Sequence, residues 1–496
     1  MNEKFFIGKG SQSVFLLPSM ANRHGVIAGA TGTGKTISLK VLAEYFSDAG
    51  VPVFLSDVKG DLASLAQAGE PNEKISERLE FLGVEGFDFK AFPVRCWDVY
   101  GELGHPLRTS ISEMGPILLS RILNLNDVQS GVLNIVFRVA DDMGMLLIDL
   151  KDLRSMVQYV GENAKEYQME YGSIASATIG AIQRSLLLLE DAGGHHFFAE
   201  PAIDIEDLLQ VDVYNKGFIN VLASQKLMHS PSLYSTFLLY LLSELYESLP
   251  EVGDLDKPKL VFFFDEAHLL FDQAPKVLLD KIELVVRLIR SKGVGVYFIT
   301  QNPIDIPDKV LAQLGNRIQH ALRAYTPKEK KSVTAMAETF RLNPEIDIVQ
   351  EITELKTGEA LVSFLNEQGK PNVVEKVMIV PPKSKIGVVD SLVRESLIKN
   401  SPYYYKYHQI VDKESAYEIL KEKVLQQKQE QDKLQQLKAE EELLKQQQKL
   451  DRAKEKATGK KPTNDLQRMA KSFLTTMSSS VGRELARGVF GSLRRK

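Results

Sequence analysis

The sequence predicts an α/β fold: a parallel-centred sheet flanked by helices, with a large all-helical insertion and a C-terminal helical arm. Three observations predict it. A glycine-rich octet joins a short apolar strand to a helical pattern within residues 25–45, and an apolar run near residue 260 ends in two adjacent acids. Around both, strand-like and helix-like segments alternate, as they do where helices connect parallel strands.

The octet carries the chemistry. Gly29, Ala30, Thr31, Gly32, Thr33, Gly34, Lys35 and Thr36 fit G-x-x-x-x-G-K-[ST] at every position. The strand candidate Gly25–Ala28 precedes it, and Ile37, Leu39, Val41, Leu42 and Tyr45 mark the helix that follows. Glycines let the backbone wrap a polyphosphate, and the N–H groups at the helix start supply positive potential. ATP with Mg²⁺ is therefore the expected ligand. Lys35 reaches the β- and γ-phosphates in this reading, and the Thr36 hydroxyl ligates Mg²⁺.

A second strand supplies the acids. The stretch KLVFFFDEAH, residues 259–268, runs through five apolar residues into Asp265 and Glu266. Such a run suits a fully buried parallel strand whose C-terminal end faces a ligand crevice. Asp265 is expected to hold Mg²⁺ and Glu266 to activate the attacking water as general base. A third strand, VGVYFITQNP at 294–303, ends in Gln301. Gln301 either senses the γ-phosphate and orients the water or caps a turn before Pro303.

The remaining elements follow in order. Residues 1–109 form the first part of the core, with strands ending at Ala28, Asp57 and Asp98. Residues 110–200 carry helical periodicity broken at Asn, Gly and Asp, and are expected to be an all-helical insertion. Residues 201–385 complete the core: a strand at 217–224, an apolar helix at 232–249, the acidic and Gln-ended strands, a strand at 317–324, and a hairpin about Asn366–Gly369.

Beyond the core the composition changes. Residues 386–460 are expected to be a linker and a Gln/Lys/Glu-rich helical arm, since Lys421 to Lys456 contains no Gly, Pro or aromatic residue. Leu434, Leu437 and Leu444 fit a heptad, but Gln427, Gln431, Glu441 and Gln448 interrupt it, which favours a solvated helix over a coiled coil. Residues 461–496 form a basic tail in which Phe473, Met477, Val481, Leu485, Val489 and Leu493 recur every four residues. An anionic membrane, nucleic acid, a partner groove or another part of the chain could each receive it.

Composition narrows the classes. A formal charge of −4 argues against an overall basic coat, so any nucleic-acid contact is local. Cys96 is the single cysteine, which excludes an intrachain disulfide and suits a reducing cytoplasm. No run of about 18 apolar residues is present, so no transmembrane helix is expected. His195 and His196 are adjacent, adjacent side chains point apart in most backbones, and no cysteine lies near, so no metal site is expected there.

The octet, FFFDEAHLLFDQAP, VVRLIRSKGVGVYFITQNPIDIPDKVLAQLGNRIQHALRAYTP and RCWDVYGELGHPLRTSISEMGPILLSRILNLN together resemble the HerA-like proteins of the YjgR type, in the HerA/FtsK superfamily. The resemblance runs from residue 5 to about 385. It implies a RecA-like P-loop ATPase core that assembles into a homo-oligomeric ring, a hexamer, and acts as a DNA translocase or helicase-like motor. Gln301 matches the polar sensor of additional-strand P-loop ATPases. Arg23 matches an arginine at the subunit–subunit nucleotide site, and Asp57 matches an aspartate ending the second strand, carried over as a nucleotide-site residue.

Two departures follow. HerA proper has a β-barrel before its phosphate loop that receives a nuclease partner, whereas about 25 residues precede Gly29 here, so a nuclease partner is not expected. HerA also has Gly-Arg-Lys ahead of the Gln-ended strand, where this chain reads Arg290-Ser291-Lys292-Gly293. Arg23, Arg290 and Arg317 are the candidates for an arginine acting in trans, each against the competing reading of an ordinary salt bridge. Three functional classes stand: a DNA motor, a motor acting on a protein or membrane-associated partner through its tail, and a nucleotide switch.

Overall fold

The computed structural model describes residues 4–457 apart from 273–275, 325 and 412. The basic tail expected at 461–496 lies outside them. Twelve strands make one sheet. In chain order they are β1 Phe5–Lys9, β2 Ser13–Leu16, β3 Gly25–Ala28, β4 Val53–Asp57, β5 Val94–Asp98, β6 His105–Pro106, β7 Ile219–Ala223, β8 Leu260–Phe264, β9 Val294–Thr300, β10 Asn316–Gln319, β11 Glu359–Ser363 and β12 Glu375–Ile379. Their spatial order is β2-β1-β12-β11-β10-β3-β9-β8-β4-β7-β5-β6.

The eight strands from β10 to β6 run parallel, and β11, β12, β1 and β2 add an antiparallel flank beside β10. The parallel-centred sheet matches expectation. The N-terminal hairpin β1–β2 is an addition, because its pairing partner, β12, is more than 300 residues away and leaves no local trace.

Alternation through each strand builds two cores. Phe54, Phe262, Phe264 and Phe298 point to one face, against the insertion and the helix α9 described below, while Val53, Val261, Phe263 and Ile299 point to the other, against Leu39, Leu42 and Phe46 of helix α1 (Lys35–Asp48). Both faces of β8 are therefore buried, which explains its unbroken apolar run. After α2 (Glu73–Leu82), residues 111–191 form five helices: α3 Ile111–Ile122, α4 Asp127–Asp142, α5 Leu150–Glu162, α6 Ala164–Tyr171 and α7 Ser176–Asp191. Ser110 with Glu113, Asn126 with Gln129 and Asp149 with Asp152 form capping boxes that start the first, second and third of these. The short α8 (Gly194–Phe197) then leads through β7 to α9 (Pro231–Ser248).

The compact unit runs to Leu420 rather than ending near residue 385. Tyr407 is fully buried, its hydroxyl donates to Asp207, and its carbonyl accepts from Arg108 Nη1 at 2.7 Å. Its ring lies 5.4 Å from that of buried Trp97. The second unit begins at Lys421 within the helix Ala416–Ala457, and Leu434, Leu437 and Leu444 are exposed on it. Among the described residues no single helix is long and apolar enough to cross a membrane.

Candidate active site

The octet leaves β3 and enters α1 through three glycines at positive φ, Gly29, Gly32 and Gly34. Gly29 has no room for a side chain: a Cβ there would lie 2.6 Å from His320 Cβ and 2.9 Å from Thr33 Oγ1. Neighbours hold the loop in place. Ala30 N–H donates to Ala321 O at 2.8 Å, and Gly358 N–H donates to Thr33 O at 3.1 Å. Lys35 Nζ donates to Gly29 O and Ala30 O at 2.5 and 3.1 Å. Burial, with the neighbouring Lys59, holds the Lys35 ammonium below the usual lysine range, while Glu266 and Asp265 act in the opposite direction.

His320 lies beneath the loop, brought there by the sheet from a segment with no motif of its own. Its Nδ1 is 2.9 Å from Glu359 O and its Nε2 is 2.8 Å from Ser38 Oγ. A carbonyl only accepts, so Nδ1 carries the proton and Nε2 accepts from the serine. Burial pushes its pKa down to about 4.

The acid pair leaves β8 one strand beyond β9. A ring of hydroxyls fixes its backbone: Ser56 Oγ and Tyr234 OH are 2.7 Å apart, Tyr234 OH donates to Asp265 O at 2.7 Å, and Asp265 N–H donates to Ser56 Oγ at 3.3 Å. Burial, then the adjacent Glu266 carboxylate, pushes Asp265 up to about 7. The N–H of Glu266, Lys59 and Lys35 pull the other way. Glu266 itself sits at φ 49°, a left-handed conformation costing a non-glycine residue about 1 kcal/mol or more.

Gln301 joins the two halves. Its Nε2 donates to both Glu266 oxygens at 3.2 and 3.4 Å, and its Oε1 accepts from Thr31 Oγ1 at 3.3 Å. The turn after β9 is closed instead by Thr300, whose Oγ1 donates to Asn302 O. His268 Nδ1 approaches Glu266 Oε2 at 3.4 Å. The structure thus brings Thr31, Lys35, Asp265, Glu266 and Gln301 together, and adds Ser56, Lys59, Tyr234 and His320 to the group.

Other expected residues sit elsewhere. Asp57 is fully buried, and its carboxylate accepts from the N–H groups of Gly60, Asp61, Leu62 and Ala63. It closes the turn that carries Lys59. Arg23, Arg290 and Arg317 all lie at the N-terminal edge of the parallel strands, opposite their own phosphate loop. Arg317 donates to Leu314 O, Thr339 O and Leu311 O, so its guanidinium is engaged within its own chain, contrary to the trans role considered for it. Arg23 lies against the hairpin turn at Gly369, and Arg290 makes one ion pair of 3.4 Å with exposed Asp254.

The residues fit the ligands that the octet implies. The glycine cradle admits a close backbone approach, and the buried Asp265 beside the Glu266 carboxylate brings two acids together at one place, an oxygen donor set suited to a divalent cation.

The model of the Helicase HerA-like C-terminal family matches residues 3–496. The chain belongs to that family. HerA-like relatives include the DNA double-strand break repair helicase HerA of Sulfolobus acidocaldarius, 22% identical over 361 residues that cover 69% of this chain and 62% of the relative. A probable helicase of Methanocaldococcus jannaschii is 32% identical over 154 residues, 29% of this chain and 28% of that one. The chain therefore spans less than two thirds of the length of these relatives. Among solved structures, the bacterial conjugative coupling protein TrwB is similar with a TM-score of 0.52 at 15% identity, covering 78% of this chain and 91% of that one. VirB4 of Thermoanaerobacter pseudethanolicus gives a TM-score of 0.50 at 16% identity, over 79% of this chain and 98% of that one. These likenesses show the fold: a RecA-like core of the HerA and coupling-protein kind, with helical insertions and a C-terminal helical region.

Proposed function

We propose that the protein is an ATP-hydrolysing motor of the YjgR type that works as a homo-oligomeric ring of six subunits. The observation that carries this reading is the Gln301 bridge, which ties the phosphate loop at Thr31 to the carboxylate at Glu266. Loop and base are coupled in one hydrogen-bonded unit, as hydrolysis requires and mere nucleotide retention does not. That disfavours a nucleotide switch.

Lys35 and the loop N–H groups hold the phosphates in this reading. Thr36 and Asp265 would hold Mg²⁺ there, and the ion would supply positive charge against the negative charge that develops during hydrolysis. Glu266 takes a proton from the attacking water, and Gln301 orients both. Strand β3 separates Arg23 from Gly29, its four residues rising roughly 13 Å, so Arg23 stands at the opposite end of the strand from its own loop. It and Arg290 fit a site on a neighbouring subunit. The ion pair at Arg290 is exposed and weakly held, about 1 kcal/mol at most, so it is readily released.

Two substrates are supported. The names of the HerA relatives favour DNA as the track. The formal charge of −4 and the leucines exposed along the arm favour a protein partner as the second reading. Steady-state ATP hydrolysis with and without single- and double-stranded DNA tests both. Stimulation by one DNA form, declining with salt, supports the translocase; hydrolysis indifferent to DNA supports the protein partner; absence of Mg²⁺-dependent hydrolysis sinks the motor reading.

A further inference from the structure

Arg78, on α2, takes no part in the site described so far, yet it stands at its rim. Its guanidinium approaches Gly358 closely: a Cβ on that glycine would lie 2.5 Å from Nη2 and 2.9 Å from both Cζ and Nη1. The guanidinium therefore fills the space that a side chain at position 358 would take. Gly358 in turn donates its N–H to Thr33 O, and its own N lies 3.5 Å from the position a Cβ on Gly34 would take. Arg78 is therefore one residue layer from the phosphate loop.

Three features set this arginine apart from an ordinary ion-paired one. It is half-buried, and burial alone lowers its pKa, with no carboxylate acting in the other direction. Among the described residues, no carboxylate, carbonyl or hydroxyl accepts a hydrogen bond from it. A half-buried guanidinium with no protein acceptor keeps its donors for solvent or for an anion, and an anion bound at the neighbouring phosphate loop would meet them. The sheet order says which part of a nucleotide that is. Asp265, Glu266 and Gln301 leave β8 and β9 on one side of β3, whereas Gly358 opens β11 on the other side, beyond β10. A polyphosphate whose γ end faces the acids turns its nucleoside end toward Gly358 and Arg78.

We propose that Arg78 is a nucleotide-binding residue that donates to the α-phosphate end of the bound nucleotide. The proposal rests on the ATPase reading above. Because ATP and ADP share the α-phosphate, the arginine serves both, unlike a residue that meets the γ-phosphate.

The test compares wild type, Arg78→Ala, Arg78→Lys and Lys35→Ala, using fluorescent ATP and ADP analogues for affinity and steady-state hydrolysis for kcat. Melting without nucleotide checks that each variant folds. Arg78→Ala is expected to weaken ATP and ADP binding alike, about tenfold or more, with kcat at saturation within about twofold of wild type. Arg78→Lys should recover part of that affinity. Unchanged affinity in a folded Arg78→Ala variant overturns the proposal, and so does a loss confined to ATP or to kcat, which would make Arg78 a γ-phosphate residue. Failure of wild type to bind nucleotide in a manner dependent on Lys35 overturns the ATPase reading itself, a distinct result.

Discussion

Replacing Glu266 by Gln keeps the shape of the side chain and one acceptor for Gln301 but removes the base. Turnover should then fall at least about 100-fold, while nucleotide affinity stays within about threefold, as hydrolysis assays beside equilibrium binding would show. A variant that still turns over at a tenth of the wild-type rate would move the base elsewhere. At the same scale, His320 makes the protein sensitive to acid. Its pKa of about 4 in the fold lies below the ordinary 6.5, so between these values the unfolded chain binds a proton that the folded one does not. The stability due to neutral His320 is therefore complete above pH 6.5 and is lost as pH falls toward 4, by about 3 kcal/mol. His24 and His105, each also pushed down to about 4 chiefly by burial, add to the decline. Melting curves from pH 7 to 4 should be flatter for His320→Gln than for wild type; parallel curves would mean that His320 is not the sensor.

Elements explain what was legible in advance. β8 could be read directly because both its faces are buried, and Phe262→Ala should cost about 3–5 kcal/mol in denaturant melts through the cavity it leaves. The Asp265–Glu266 pair and Gln301 stood out for the same reason, being polar residues at the ends of such runs. The octet is local, and its spacing alone announces it. Less visible were contacts made across the sheet. Nothing around Tyr234 says that its hydroxyl supports Asp265, nothing in the β10 segment says that His320 underlies Gly29, and α2 gives no sign that Arg78 reaches Gly358. Asp57 is conspicuous in the sequence as the acid that ends a strand, but only its four N–H partners reveal what it does there. Asp57→Ala leaves those groups unpaired in a buried turn and should lower stability by about 3 kcal/mol or more. At temperatures where the variant remains folded, its nucleotide affinity should stay near wild type; a selective affinity loss without a lower Tm would restore Asp57 to the nucleotide site.

The whole molecule is tested by mixing subunits. Lys35→Ala removes the loop's cation, and Arg23→Ala removes a candidate that reaches its neighbour, so each homo-oligomer should be nearly inactive. In a ring assembled from an equal mixture, about one interface in four combines an intact loop with an intact arginine, and turnover should reappear. Silence in the mixture, with assembly confirmed by sedimentation, would remove Arg23 from the site and leave Arg290 as the candidate.

The pairing of Lys9 with Met378 bears on how the polypeptide is made. Once β1 has left the ribosome it finds its neighbour only after about 370 more residues have been added, a wait of roughly 20–70 s at ordinary elongation rates. Through that interval the β1–β2 hairpin carries an open hydrogen-bonding edge with Phe5 and Ile7 on it, the kind of surface that recruits stray strands. Nascent chains arrested before β12 should therefore require holding by chaperones, and those extended past it should not.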